Sequence, residues 1–97
     1  MGKCFQLDVV TADSTVFSGQ VDALNLPTPF GSVGILAEHA PMLCAVAQGI
    51  LRATLTEGGL LRIRVGDGVA NVADNEATVL LSRAEILDTE TDARTGR

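Results

Sequence analysis

An all-β fold, a β-sandwich of about ten short strands in two sheets, is predicted by three features of this 97-residue sequence. Short β-prone runs recur along the chain, glycine and other turn residues punctuate them, and no segment keeps the apolar spacing of an amphipathic helix. The length suits one domain, which buries only about 60 to 65% of its unfolded-chain surface, so its core has to be continuous. The sandwich is placed at residues 1–87, and residues 88–97 are read as a polar tail that frays or forms a stub of helix.

Residues 4–11 alternate, with Phe5, Leu7 and Val9 on one face and Gln6, Asp8 and Val10 on the other, the period of a half-buried strand. Ala12, Asp13 and Ser14 turn the chain. Residues 15–17 and 21–26 read as two further strands, with Ser18, Gly19 and Gln20 as a tight connection between them. The stretch LPTPFGSVGILAEHAP, residues 26–41, follows as a bent strand between rigid ends. Pro27 and Pro29 stiffen its tip, while Gly31 and Gly34 are expected to supply positive φ or a close backbone approach. Pro41 then rules out a helix running through that point.

Residues 42–47 are apolar on both sides, which fits either a covered strand or one face of a contact site. Residues 49–65 form a hairpin. With Glu57, Gly58 and Gly59 as its loop, Leu55 meets Leu61, Ala53 meets Ile63, Leu51 meets Val65, and Arg52 faces Arg64 on the outer side. After a bend at residues 65–68, residues 69–73 and 77–81 make a last hairpin over Asp74 and Asn75, pairing Val72 with Ala77 and Ala70 with Val79. Val69 and Leu80 fall on its other face, so this hairpin is apolar on both sides.

Composition narrows the function. Seven basic residues against twelve acidic ones leave a net charge of −5, and Trp and Tyr are absent, so neither a phosphate-backbone footprint nor an aromatic stacking platform for nucleic acid is present. No apolar run reaches the roughly 20 residues that span a bilayer, and the start lacks a charged-then-apolar leader, so the chain is expected to be unexported. Cys4 and Cys44 are accordingly expected as free thiols, and together with His39 they lack the short paired spacing of a zinc site. Nothing resembles a phosphate-cradling glycine loop, and no cofactor is expected. His39, beside Glu38 and near Cys44, suggests a nucleophile with its base. Adjacent residues of an extended segment point to opposite faces, however, so a structural or interface histidine is the better reading.

The ordered series Asp8 to Thr11, Phe17 with Gly19, Val21, Leu26 to Pro27, Gly31, Gly34 to Leu36, His39 to Pro41 and Gly49 to Leu51 resembles the amino-terminal domain of the epsilon subunit of F-type ATP synthase. Gly66 to Gly68 and Ala77 to Leu81 fall where that family has its last hairpin, so the likeness covers about residues 5–84. It departs from the pattern at the tip, where Phe30 and Ser32 replace acidic residues. Longer relatives continue into a two-helix hairpin that in some binds ATP. Here Thr91 and Asp92 stand where that signature has Arg-Ala, so neither nucleotide binding nor helix-mediated inhibition is carried over.

The resemblance implies a β-sandwich and a non-catalytic central-stalk subunit, peripheral to the membrane on the cytoplasmic face of a bacterial inner membrane or in an organelle. As partners it implies the gamma subunit and the c-ring, within an alpha/beta/gamma/delta/epsilon complex. Pro29, Phe30, Gly31, Ser32 and Val33 are then expected to face the c-ring, and His39, Ala40, Pro41, Met42 and Leu43 to pack on gamma. The competing reading is a free-standing small β-sandwich, either a ligand-binding module or a hydrolase using His39 and Cys44.

Overall fold

A computed structural model describes residues 3–90 and arranges them in nine strands with no helix among the described residues. Strand β1 (Phe5–Val10) buries Phe5, Leu7 and Val9, as its alternation predicts. Thr11 closes the turn that follows, its hydroxyl accepting from the backbone N–H groups of Asp13 and Ser14.

Strand β2 (Thr15–Thr28) organises the fold. It is one strand of 14 residues where the sequence suggested two. Gly19 does not break it: the residue faces inward opposite Leu7, and a Cβ there would lie 3.1 Å from Cζ of Phe17. The missing side chain thus makes room for an aromatic ring rather than for a turn. The first half of β2, up to Val21, pairs with β1. From Ala23 the same edge pairs with β3 (Gly31–Leu36), while the opposite edge pairs with β5 (Gly49–Leu55). A register shift between Val21 and Ala23 marks where β2 passes from one layer to the other, the usual work of a bulge.

Hydrogen bonding is consequently continuous through one nine-stranded sheet, in the order β4 (Met42–Val46), β7 (Gly68–Ala73), β8 (Glu76–Leu81), β1, β2, β5, β6 (Leu60–Val65), β9 (Ala84–Glu90), with β3 added on β2. Folded about β2, it makes two layers of five strand segments, and counting β2 in both recovers the expected ten. Phe5 and Val79 from one layer join Leu51 and Ile63 from the other in a single core cluster. No polar or charged residue is buried among the described residues.

The two long hairpins differ in how well their registers were anticipated. Between β7 and β8, Val72 pairs with Ala77 and Ala70 with Val79, and the turn residues Asp74 and Asn75 have φ of 53° and 61°. Both central residues are left-handed, the type I′ geometry that suits the twist of a two-residue hairpin. Between β5 and β6 the register is displaced by two from expectation: Ala53 pairs with Leu61, Leu51 with Ile63, and Arg52 with Arg62 rather than Arg64. The loop does have three residues, but they are Thr56, Glu57 and Gly58, closed by the Leu55 N–H donating to the Gly59 carbonyl at 2.8 Å. Gly58 takes φ 98° at the third loop position, where a three-residue hairpin needs a left-handed residue. A shift of two preserves the face of every side chain, so the apolar set stays inside.

The boundary expected at residue 88 also moves. Strand β9 continues through Asp88, Thr89 and Glu90 along β6, and Arg62 grips the Asp88 carboxylate with two guanidinium nitrogens, Nε at 2.9 Å. That grip offsets the pairing of Arg52 with Arg62. The remainder of the expected tail, residues 91–97, lies outside the described residues.

Candidate functional site

The two stretches singled out by the sequence lie at opposite ends of β3, a strand of six residues and so about 20 Å long. At one end, β2 and β3 meet in a hairpin whose turn is Pro29 and Phe30, with Thr28 paired to Gly31 and Pro27 to Ser32. The Thr28 hydroxyl accepts from the Phe30 N–H at 3.1 Å and donates to the Gly31 carbonyl at 2.5 Å. Gly31 takes φ 114°, closed to an L side chain at ordinary cost, whereas Gly34 has no positive φ and open space where a Cβ would stand. Of the two glycines, only Gly31 meets its expectation. The base of the hairpin is tied down by the Ala47 N–H donating to the Pro27 carbonyl at 2.9 Å.

From this stiff tip Phe30 projects 97% exposed, beside exposed Pro29, Gly31 and Ser32. Val33 does not belong to the exposed set, because it packs against the core.

At the other end of β3 the chain crosses from one layer to the other through residues 37–41. The His39 N–H donates to the Leu36 carbonyl at 3.2 Å, and Glu38 sits at φ 61°. His39 Nδ1 lies 2.7 Å from the carbonyl of Ala40, and since a carbonyl only accepts, Nδ1 carries the proton. Ala40 and Pro41 are exposed. Met42 and Cys44 turn inward and pack on the core, whereas Leu43 is 73% exposed. The five residues expected to contact gamma are therefore brought to one corner but not to one face.

Leu43 stands at the margin of a larger apolar surface. On the outer face of β4, β7, β8 and β1, Ala45 pairs with Val69, Val69 with Leu80, and Leu80 with Val10, a row crossing four strands and so about 14 Å wide. Val69 is 46% and Leu80 48% exposed. Beside the row runs a hydrogen-bonded polar ladder: Ser18 donates to Asp8, Gln6 to Asp8 and Ser18, and Gln20 to Gln6. The sequence put Val10 on the outer face of its strand and left residues 42–47 as either a covered strand or a contact face, but it did not join Ala45 and Val10 to Val69 and Leu80 in one row. Their signal was the repeated break in alternation at Val9-Val10, Ala45-Val46, Val69-Ala70 and Leu80-Leu81, each pair sending one apolar side chain in and one out.

The chemistry of the site is that of contact. Burial pushes the Cys44 thiol above its ordinary pKa, the opposite of what activates a nucleophile. Among the described residues no group of three His, Cys, Asp or Glu side chains could hold a metal. A cleft of about 440 Å³ on the outer face near the end of β6 mixes Arg64 and Arg83 with Glu85 and apolar Ile50. At the far margin of that sheet, the hydrogen bond from Arg62, and secondarily its charge, holds the Asp88 carboxyl below its ordinary pKa against the effect of desolvation.

Residues 4–87 match the family described as ATP synthase, Delta/Epsilon chain, beta-sandwich domain. The chain belongs to this family. An ATP synthase epsilon chain of Synechococcus sp. (strain JA-2-3B'a(2-13)) is 43% identical over 77 residues, 79% of this chain and 56% of that relative. ATP synthase epsilon chain 1 of Nitrobacter hamburgensis is 39% identical over 95 residues, 88% of this chain and 69% of the relative. The chain thus spans a little over half the length of the first of these. Among solved structures, a chain of the Euglena gracilis mitochondrial ATP synthase (OSCP/F1/c-ring in rotational state 1) superposes with a TM-score of 0.82 at 24% identity, covering 95% of this chain and 58% of that one. A chain of the Tetrahymena thermophila mitochondrial ATP synthase central stalk/c-ring gives 0.71 at 14% identity, covering 87% of this chain and 67% of its own. At these identities the likeness is one of fold.

Proposed function

We propose that the chain is a non-catalytic central-stalk subunit of an F-type ATP synthase, which clamps the gamma shaft to the c-ring and stiffens the path through which torque couples ion movement to ATP synthesis or hydrolysis. Family membership supports the assignment, and the observation that carries the mechanism is Phe30. A fully exposed aromatic on a proline-stiffened hairpin loses little conformational entropy on docking and gains the burial of its ring. The tip, Pro29 to Ser32, is assigned to the polar loops of the c-ring. The opposite corner, His39 to Pro41 with Leu43, and the apolar row of Ala45, Val69, Leu80 and Val10 are assigned to gamma. The subunit is peripheral, reaching the membrane through the c-ring, on the cytoplasmic face in a bacterium.

Affinity purification of the native protein from its own cells tests the assignment. Co-elution with gamma, alpha and beta is expected. A lone monomer would return the chain to the class of free-standing ligand-binding sandwiches.

A further inference from the structure

Asn75 makes more contacts than a turn residue needs. Its side-chain Oδ1 accepts from the Glu38 N–H at 2.7 Å, and its Nδ2 donates to the Cys4 carbonyl at 2.9 Å. Its own carbonyl accepts from the Gln6 N–H at 3.2 Å. One residue therefore joins the β7–β8 turn, the start of β1 and the crossing segment after β3. The type I′ turn itself asks only for left-handed backbone, which glycine or aspartate supplies as readily. Neither can both donate and accept through its side chain; the short carboxamide of asparagine can.

The segment it reaches is one that needs holding. Glu38 lies at φ 61°, a conformation a glutamate keeps only when its surroundings impose it. The other side-chain contact on Glu38 is the ion pair with Lys3 at 3.2 Å, in which both side chains are mostly exposed and which adds little. Immediately after Glu38 come His39, Ala40 and Pro41, and then Leu43 on the outer face.

We propose that Asn75 is a positioning residue for protein contact: its carboxamide fixes the 37–41 crossing in the left-handed shape that presents this corner and Leu43 to the partner. The proposal rests on the reading of this face as the gamma-binding surface. Its consequence follows from population: if release of Glu38 leaves the competent shape only about a tenth populated, apparent affinity falls about tenfold with no contact residue altered.

The test compares wild type, Asn75→Gly and Leu43→Asp in the full chain. Gly keeps the turn backbone at no φ cost, so the Tm of Asn75→Gly is expected to stay within about 3 °C of wild type, less than about 1 kcal/mol would produce. By NMR hydrogen exchange, the Glu38 amide is expected to exchange about tenfold faster while those of Leu7 and Val79 are unchanged. Affinity for a gamma-containing alpha/beta/gamma complex is expected to fall about tenfold. A merely structural role would instead lower the Tm and speed exchange throughout. Should Asn75→Gly lower the Tm, exchange and affinity are compared below its transition, where Leu7 and Val79 report whether the whole domain has loosened or Glu38 alone. Unchanged Glu38 exchange, or faster exchange with unchanged gamma affinity while Leu43→Asp weakens binding, overturns the positioning role and leaves the gamma assignment standing. Unchanged affinity in Leu43→Asp overturns the gamma assignment and the role of Asn75 with it.

Discussion

Phe30 and the pair Met42 and Leu43 separate surface from core most sharply at the scale of single residues. Phe30 has almost no intramolecular contact, so Phe30→Ala is expected to change folding stability by less than about 0.5 kcal/mol while loosening attachment to the c-ring. A loss of about 3 to 5 kcal/mol in denaturant titration, the cost of deleting a core aromatic, would contradict this. Met42 and Leu43 are adjacent and face opposite ways. Met42→Asp is expected to destabilise the domain, because the charge enters a half-buried site against the core. Leu43→Asp is expected to leave stability within about 0.5 kcal/mol and to weaken gamma binding by about 2 kcal/mol, close to 30-fold. Equal effects of the two substitutions on Tm would show that the strand does not divide this way. Asp88 gives a prediction in pH. Its carboxyl pKa is depressed in the folded state, so its contribution is full above the ordinary carboxylate value of 3.8 and disappears as pH falls through the folded value. The Tm difference between wild type and Asp88→Asn should therefore hold steady near neutrality and shrink below pH 3.8. A difference that persists unchanged to the acid limit would remove the Arg62 pairing as its cause.

Among the elements, the β2–β3 hairpin depends on one glycine and merely contains another. Gly31 is held at φ 114°, so Gly31→Ala is expected to cost about 1 to 2 kcal/mol and lower the Tm. Gly34 lies in β3 with ordinary φ and empty space at the Cβ position. Gly34→Ala is expected to stabilise by about 0.4 to 1 kcal/mol, by restricting the unfolded chain. A single pair of thermal melts decides the matter, and the reversed order would refute it. The same elements show what was legible. The β7–β8 register was readable because Asp74 and Asn75 together permit only one kind of two-residue turn. The β5–β6 register was displaced because Gly58 and Gly59 are adjacent, and the sequence does not say which of them turns left-handed. Strand β9 went unread because what holds it is distant in sequence: it pairs with β6, and Arg62 lies 26 residues away from Asp88.

For the molecule as a whole, the decisive fact is that β2 belongs to both layers. Since it pairs with β1 through its first half and with β3 and β5 through its second, neither layer keeps its full sheet without the other. The core is also shared across the layers. Unfolding is therefore expected to be a single cooperative transition, with calorimetric and van't Hoff enthalpies equal and with amides of β6 and β7 exchanging through the same global opening. Exchange of β7 at a distinctly lower free energy than β6 would show that the layers open separately.

By itself the sequence determined the all-β class, the inward set of β1, β5 and β6, and the pairing of β7 with β8 over the turn at Asp74 and Asn75, because alternation and turn chemistry are local properties; the ordered series of matching residues carried the likeness to the family. Tertiary structure alone decided that residues 15–28 form one strand, since the role of Gly19 depends on where the ring of Phe17 lies. It alone decided that Phe30 is bare while Val33 is packed, and that Ala45, Val69, Leu80 and Val10 form one row, because residues far apart in sequence become neighbours only through strand order. For the same reason it brought Asn75 to the backbone of Glu38, a contact no spacing could announce.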